Sequence, residues 1–563
     1  KLNREGAEPL AQEFALIDSI RSKKDLVESV AHLHLFGVDV FWGDGASPDL
    51  SDTEIMIFGI GQSGLSLPER GYYFDDDKKE IRQKFSKHVE KIFLLLGYNK
   101  SAAKNAADTV MAIETRLAQK SWTTVELRNI EPQLNYLDSK DLDNLAPNVD
   151  WSLYFDSIGL KVPDKFLVSQ LDFMRRVSAI FNGNKLDDLK TYLKWWLIMR
   201  TAHLLSDDFV QEDFDFWEKT MNGNEALKPR WERCASILNS LLGEALGEEY
   251  VKKYFPPEAK EKINELVDNL TVALRHRIKE LDWMTAETKK RAAEKLDAFS
   301  RKLGYPDKWK DYSALEVKKD SYVLNCLRAT KFHVQDNLSK VGKPTDRTEW
   351  HMTPSTVNAY FHPLHTEIVF PAGILQPPFF DPNADDAVNY GGIGVVIGHE
   401  ITHGFDDKGS QFDKDGNFKN WWTQKDRKEF DARCQKIINQ FNGYEVLDGL
   451  FVNGTLTQGE NIADLGGLNI AYEAYIRSLK DKPEPPKLSG FTYKQRFFLG
   501  FAQVWRSKAR EEYIKKLVAT DTHSPARFRI LGTLANAPEF YDAFGLEEGD
   551  GMYIPPEDRV EIW

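Results

Sequence analysis

Apolar residues recur three and four positions apart through residues 79–96, 102–120 and 186–203, with charged residues between them, and that spacing predicts amphipathic helices. Gly97-Tyr98-Asn99 and Asn182-Gly183-Asn184 break the pattern between them. The aromatic residues Trp195, Trp196, Phe214, Phe216 and Trp217 fall at helical spacing and read as core rather than as a ligand cage. Residues 260–298 are again helical and densely charged. After Gly304-Tyr305-Pro306 the elements shorten, and the alternation through residues 366–370 predicts a strand paired with 357–361. Further on, residues 395–401 form an apolar run, 465–471 continue as a packed helix, and 492–514 predict one long amphipathic helix beyond a proline-rich surface connection at 483–487. The pattern as a whole is mainly α with a small β-sheet.

Composition narrows the classes. The chain has 563 residues, 42% of them hydrophobic, enough for several sizeable cores. A formal net charge of −13 argues against a nucleic-acid or anionic-membrane surface, both of which reward clustered Lys and Arg. The apolar stretches at 92–96 and 195–199 are far too short for a membrane helix. Three cysteines, Cys234, Cys326 and Cys434, cannot make a disulfide framework for so large a chain. Asp413-Lys414-Asp415-Gly416-Asn417 is a turn rather than a calcium loop, because with glycine sixth the first and twelfth positions would be Gln411 and Trp422.

Against this background, one short segment carries chemistry. His399-Glu400-Ile401-Thr402-His403 follows Val395-Val396-Ile397-Gly398, so the histidines sit on a helix that is to be buried. One helical turn apart, they project from one face and can share a tetrahedral ion, while Glu400 can take a proton from a water in the ion's open position. Buried imidazoles and a buried carboxylate need partners, and a metal is the simplest one. Downstream, Glu460 and Asp464 are spaced i, i+4 on a second predicted helix. Either they are a pair of solvated helix acids, or Glu460 completes a His2Glu ligand set and Asp464 holds the other ring nitrogen of a ligand histidine.

His399-Glu400-Ile401-Thr402-His403 and Glu460-Asn461-Ile462-Ala463-Asp464-Leu465-Gly466-Gly467 resemble the two signature segments of the neprilysin and endothelin-converting enzyme family of zinc endopeptidases. Three further stretches match in order: 357–361, 367–380, and Asp521-Thr522-His523-Ser524-Pro525 with Arg529 and the terminal Ile562-Trp563. The resemblance implies a two-lobed zincin. Residues 1–270 would be a helical lobe roofing the active site, admitting peptides and excluding folded proteins. Residues 271–563 would be a thermolysin-like catalytic lobe. It implies one Zn2+ per chain on His399, His403 and Glu460, with Glu400 as general base. Asp464 would be a catalytic residue acting by orientation, and His523 would stabilise the oxyanion. Asn358, Ala359 and Arg529 would bind substrate, and Asp406 would stand behind a ligand histidine.

The chain starts late compared with that family, so a preceding segment with a further substrate-binding arginine is expected to be missing, and that segment would be a partner of this chain. The family's extracellular animal members are disulfide-rich. This chain has Val560 where they carry a cysteine that bonds to about Cys434, and so resembles a bacterial, oligopeptidase O-like member, expected in the periplasm, at the cell surface or secreted. Phe361 and Thr366 depart from the family's tyrosine and asparagine, beside His362 and His365, which read as solvated loop residues rather than ligands of a second metal. The expected activity is hydrolysis of internal bonds of oligopeptides on the amino side of bulky hydrophobic residues. A zinc aminopeptidase would need an acidic anchor for the free amine, and none is recognisable. A peptide-binding protein that had lost turnover would be marked by a broken ligand or a missing Glu400, and both are intact.

Overall fold

A computed structural model describes residues 2–563. The chain divides into two compact units, each discontinuous in sequence. The first comprises Lys1–Ile237, Asp311–Thr345 and Arg510–Lys516, and the second Leu238–Lys310, Asp346–Ala509 and Leu517–Trp563. Position 270 lies inside the 24-residue helix Pro257–Glu280.

In the first unit, the helices Lys79–Leu95 and Lys100–Ala118 pack on one another across a tight link at Gly97, whose φ of 88° suits glycine. Phe85, Val89, Ile92 and Phe93 form the buried stripe of the first, as the periodicity requires. A four-stranded sheet was not legible in the pattern. Trp42–Asp49 pairs antiparallel with Asp52–Gln62, which pairs in parallel with Phe166–Val168, and Tyr136–Leu137 closes the other edge. Gly43, Asp44, Gly45 and Pro48 are poor strand formers. Their conformation is set by the partner strand and by Asn337, whose side chain accepts from the Ala46 amide at 2.8 Å and donates to its carbonyl at 3.0 Å.

The second unit is built on the helix Gly454–Ser478, against which Pro257–Glu280, Val395–His403 and Gln424–Asn442 pack. The carboxyl-terminal Trp563 is 1% exposed among Trp283, Phe405, Trp422 and Phe430. Arg277 and Asn469 donate to its carbonyl. A three-stranded sheet places Glu367–Pro371 between Ser300–Gly304, in parallel, and Tyr360–His362, antiparallel, so the last is an edge. The expected strand over 357–361 therefore shortens at its start, and Asn358 and Ala359 precede the ladder. The chain before them turns away to the neighbouring loop, where Pro354 accepts from the Gly373 amide at 2.8 Å.

The long helix expected over 492–514 is instead two helices, Tyr493–Val504 and Glu511–Thr520. The interruption falls where the chain leaves one unit, at Ala509, and enters the other, at Arg510. Residues 413–417 are a turn, with Gly416 at a φ of 85° and the Asp413 amide donating to Asn417. No helix among the described residues is long and apolar enough to cross a membrane.

Candidate active site

Two helices of the second unit supply most of the site. Val395–His403 carries His399, Glu400 and His403, and Gly454–Ser478 carries Glu460, Asn461 and Asp464. Their backbones meet at glycines. A Cβ on Gly398 would lie 2.8 Å from the Gly467 carbonyl oxygen, and one on Gly467 would lie 2.6 Å from the His399 nitrogen. No side chain fits there, so the helices approach far enough for Glu460 and Asp464, on the same face as Gly467, to reach the histidines.

The Nε2 atoms of His399 and His403 are 2.9 Å apart. Glu460 Oε2 lies 3.2 Å from the first and 3.4 Å from the second. Each outer ring nitrogen donates to a carboxylate: His399 Nδ1–H to Asp464 at 2.8 Å and His403 Nδ1–H to Asp406 at 2.7 Å. In neutral rings that arrangement turns both Nε2 lone pairs toward one another and toward an anionic oxygen, which is repulsive unless a cation lies among them. Glu460 Oε2 is buried and makes no hydrogen bond among the described residues. A tetrahedral zinc ion with bonds of about 2.1 Å sets its ligand atoms about 3.4 Å apart, close to these separations. The donor set thus fits zinc. The Glu400 carboxylate and the two imidazoles lie within 4.8 Å of one another, in position to exchange a proton with a molecule held there.

Electrostatics assigns different capacities to the three acids. Burial pushes Glu400 above the usual carboxylate range, opposed by the neighbouring histidines, which suits an acceptor and later donor of a proton. Burial would also raise Asp464, but Arg529 and His399 overcome it and hold Asp464 at about 2, so it stays ionised. Arg529 donates to Asp464 through Nε at 2.7 Å and Nη2 at 2.6 Å, and its guanidinium lies 3.7 Å from the Trp505 ring centre. Glu460 is held well below its ordinary value by the surrounding histidines in spite of burial. Asp406 is fixed from behind, its Oδ1 accepting from the Lys408 and Gly409 amides at 2.9 and 2.6 Å.

His523 reaches the same cluster from another loop, with Nε2 3.2 Å from Glu460 Oε2 and Nδ1 2.7 Å from Asp521. Burial works against its charge, but Asp521 and Glu460 outweigh that and push it up to about 9. Its side chain is 45% exposed, at the open side of the cluster. Asn358 is exposed and Ala359 buried, both just before the edge strand. The structure thus brings together His399, Glu400, His403, Glu460, Asp464, Asp406, His523 and Arg529, with Asn358 and Ala359 on a separate element of the same unit.

Sequence reasoning missed several supporting groups. Asn461 donates to Thr457 at 2.9 Å and accepts from Ser524 at 2.7 Å, tying the Glu460 helix to the His523 loop. Asp521 and Trp505 hold His523 and Arg529. The Gly466-Gly467 pair was visible in the signature, but a close helix contact was not read from it.

Two sequence models of peptidase family M13 match the chain, one over residues 1–306 and the other over 358–560. The chain is 34% identical over 560 residues to an endothelin-converting enzyme homolog of Locusta migratoria, covering 95% of this chain and 76% of that protein. It is 35% identical over 541 residues to endothelin-converting enzyme 1 of Mus musculus, covering 93% and 70%. Among solved structures, the Mycobacterium tuberculosis zinc metalloprotease Zmp1 in complex with an inhibitor superimposes with a TM-score of 0.96 at 40% identity, covering 100% of this chain and 86% of that one. PepO from Lactobacillus rhamnosis superimposes with a TM-score of 0.90 at 26% identity, covering 100% and 88%.

Proposed function

Because the chain belongs to peptidase family M13 and is therefore a zinc metallopeptidase, we propose that it cuts internal bonds of oligopeptides with His399, His403 and Glu460 holding one zinc ion and Glu400 as the base. The observation that carries this reading is the convergence of two imidazole Nε2 atoms and Glu460 Oε2 within 3.4 Å, each imidazole backed by its own carboxylate. When bound there, zinc supplies Lewis acidity to the attacking water and to the carbonyl of the bond to be cut. The chain's own residues do the rest. Glu400 accepts a proton from the water and delivers it to the departing amine. His523, oriented by Asp521, points an N–H at the carbonyl oxygen as it becomes negative. Asp464 stays ionised against Arg529 and fixes His399, an orienting role rather than proton donation, and Asp406 does the same for His403. With Nε and one N–H of Nη2 engaged by Asp464, any grip of Arg529 on a substrate carbonyl falls to Nη1 or the second N–H of Nη2. The Asn358 amide and the open edge at Tyr360–His362 suit an extended peptide that adds as a further strand.

The bond preceding a bulky hydrophobic residue is the proposed cleavage point, and the periplasm, cell surface or medium the proposed compartment. Both are carried by resemblance. The test is digestion of N-acetylated peptides of graded length, with metal content measured on the same sample before and after chelation. Cleavage of internal bonds that is lost with zinc and restored by it is the expected result. Dependence on a free amino terminus would replace the endopeptidase reading with an aminopeptidase, and zinc binding without cleavage would replace it with a peptide-binding role.

A further inference from the structure

About the hairpin that ends the substrate-side edge strand, a second group of imidazoles comes together. His362 closes the strand Tyr360–His362, His365 lies in the turn that follows, and His351 reaches them from the preceding loop, where its amide donates to the Tyr360 hydroxyl at 2.9 Å. One ring nitrogen of each lies within 4.8 Å of the others. The His362 and His365 rings stack with centres 4.1 Å apart, and the His351 and His362 rings with centres 5.1 Å apart. His365 is 6% exposed, and its Nε2 is buried without a hydrogen-bond partner among the described residues. Its other nitrogen, Nδ1, faces the buried Glu367 carboxylate at 3.3 Å. Glu367 is itself held by Lys302 at 2.8 Å. A carboxylate behind one ring nitrogen and a bare lone pair on the other is the arrangement that metal-binding histidines use.

The turn is also strained. Thr366 has a φ of 50°, unfavourable for a β-branched residue, and its buried hydroxyl has no partner among the described residues. The Arg347 guanidinium donates to the His365 carbonyl at 3.0 Å and the Ser300 amide to the Thr366 carbonyl at 3.1 Å, so the turn is anchored through its backbone. Neither contact reaches His365 Nε2, which a ligand would engage.

We propose that His351, His362 and His365 form a second metal site, taking a divalent transition ion of the zinc class through three imidazoles and tying the end of the edge strand to the loop that carries His351. Imidazole ligands without carboxylate or thiolate suit zinc and its late first-row neighbours over magnesium or calcium. His351 is exposed, so the site opens to solvent on that side. The local cost is one weak contact: the His365 amide donates to His362 Nδ1 at 3.2 Å, and whichever nitrogen His362 offers to the ion, that bond is given up.

The experiment equilibrates the full chain, already carrying its catalytic zinc, with buffered Zn2+, removes free metal and counts zinc per chain, then repeats the titration with Co2+ to read coordination from its visible spectrum. Two equivalents in the unaltered protein and one in each of His351→Gln and His362→Gln is the expected result, with the remaining equivalent serving as the control for folding. Glu367→Gln should weaken the second equivalent by about 10–100-fold, as loss of the carboxylate behind a ligand histidine does. A single equivalent in the unaltered protein at saturating Zn2+ overturns the proposal, and so do two equivalents in both histidine variants. Should His362→Gln also lose the catalytic zinc, His351→Gln, on the exposed side, decides alone.

Discussion

Two groups of histidines stand in one unit of this protein, and their surroundings differ in charge. At His399 and His403, burial opposes a charge on either ring, yet Asp464 and Glu460 raise the first and Glu460 and Asp406 raise the second well above its ordinary value. At the hairpin, burial and the neighbouring imidazoles push His351 down and His362 down to about 3, and the nearby Glu367 is paired with Lys302. The first site is negative and calls for a cation. In the second, His351 and His362 are held as neutral donors. Anionic ligands and the carboxylates behind them tighten the hold on an ion through turnover, whereas neutral imidazoles hold it with less compensation of its charge.

The largest effect expected from breaking this contrast is on chemistry. Glu400→Gln should lose about 10²- to 10⁴-fold in turnover while keeping its catalytic zinc, because the ligands survive and the proton acceptor does not. The acid beside the hairpin cluster, Glu367, is buried and already engaged by His365 Nδ1 and Lys302. Excess Zn2+ should therefore leave the variant inactive. Peptide hydrolysis measured beside zinc content decides this, and near-normal turnover in Glu400→Gln would sink the assignment of the base.

Next in size is the loss of the group behind His399. In Asp464→Asn the amide NH2 must face either His399 Nδ1–H or the Arg529 fork, since the native carboxylate accepts from both. Zinc should bind about 10–100-fold more weakly. The protein should also lose about 3–5 kcal/mol of stability, because Arg529 is left as a buried charge without its counterion. Competition with a chelator gives the first quantity and denaturant unfolding the second. Unchanged affinity would show that the carboxylate behind His399 does not serve the metal.

How much of this was legible in the sequence depends on range. The His399–His403 and Glu460–Asp464 pairs repeat at one helical turn, so a local pattern exposes them, and the helices that carry them follow from apolar runs. What brings the pairs together is the contact of Gly398 with Gly467, and glycine in a helix announces no partner. The strand Trp42–Asp49 is shaped by its neighbours against its own composition. The helix expected over 492–514 breaks where the chain changes units, which periodicity does not record. His362 and His365 carry the pattern of solvated loop residues, yet His365 is buried. Their third member, His351, lies 11 residues before His362 in a loop with no periodic relation to them. Only the hairpin's fold makes them one group.

The smallest expected effect concerns the partner of His403. Asp406 divides its oxygens: Oδ2 accepts from His403, and Oδ1 accepts from the Lys408 and Gly409 amides. In Asp406→Asn the single carbonyl oxygen can serve one set only. Two backbone amides bind it more firmly than one imidazole does, so the NH2 is left facing His403 Nδ1–H. The ring then either loses that bond or turns its lone pair outward, and in both cases Nε2 becomes a poorer donor to the metal. His403 has 17% of its side chain exposed against 8% for His399, so solvent can replace part of what is lost. Zinc affinity should therefore fall by about 10-fold, the lower end of the range for such outer partners, and stability should fall as well, because the buried Lys295 ammonium loses one of the two carboxylates, Asp406 and Asp413, that favour its charge. A loss equal to that of Asp464→Asn would mean that the negative charge near the histidines matters more than the orientation of either ring, and the same competition titration reads out the difference.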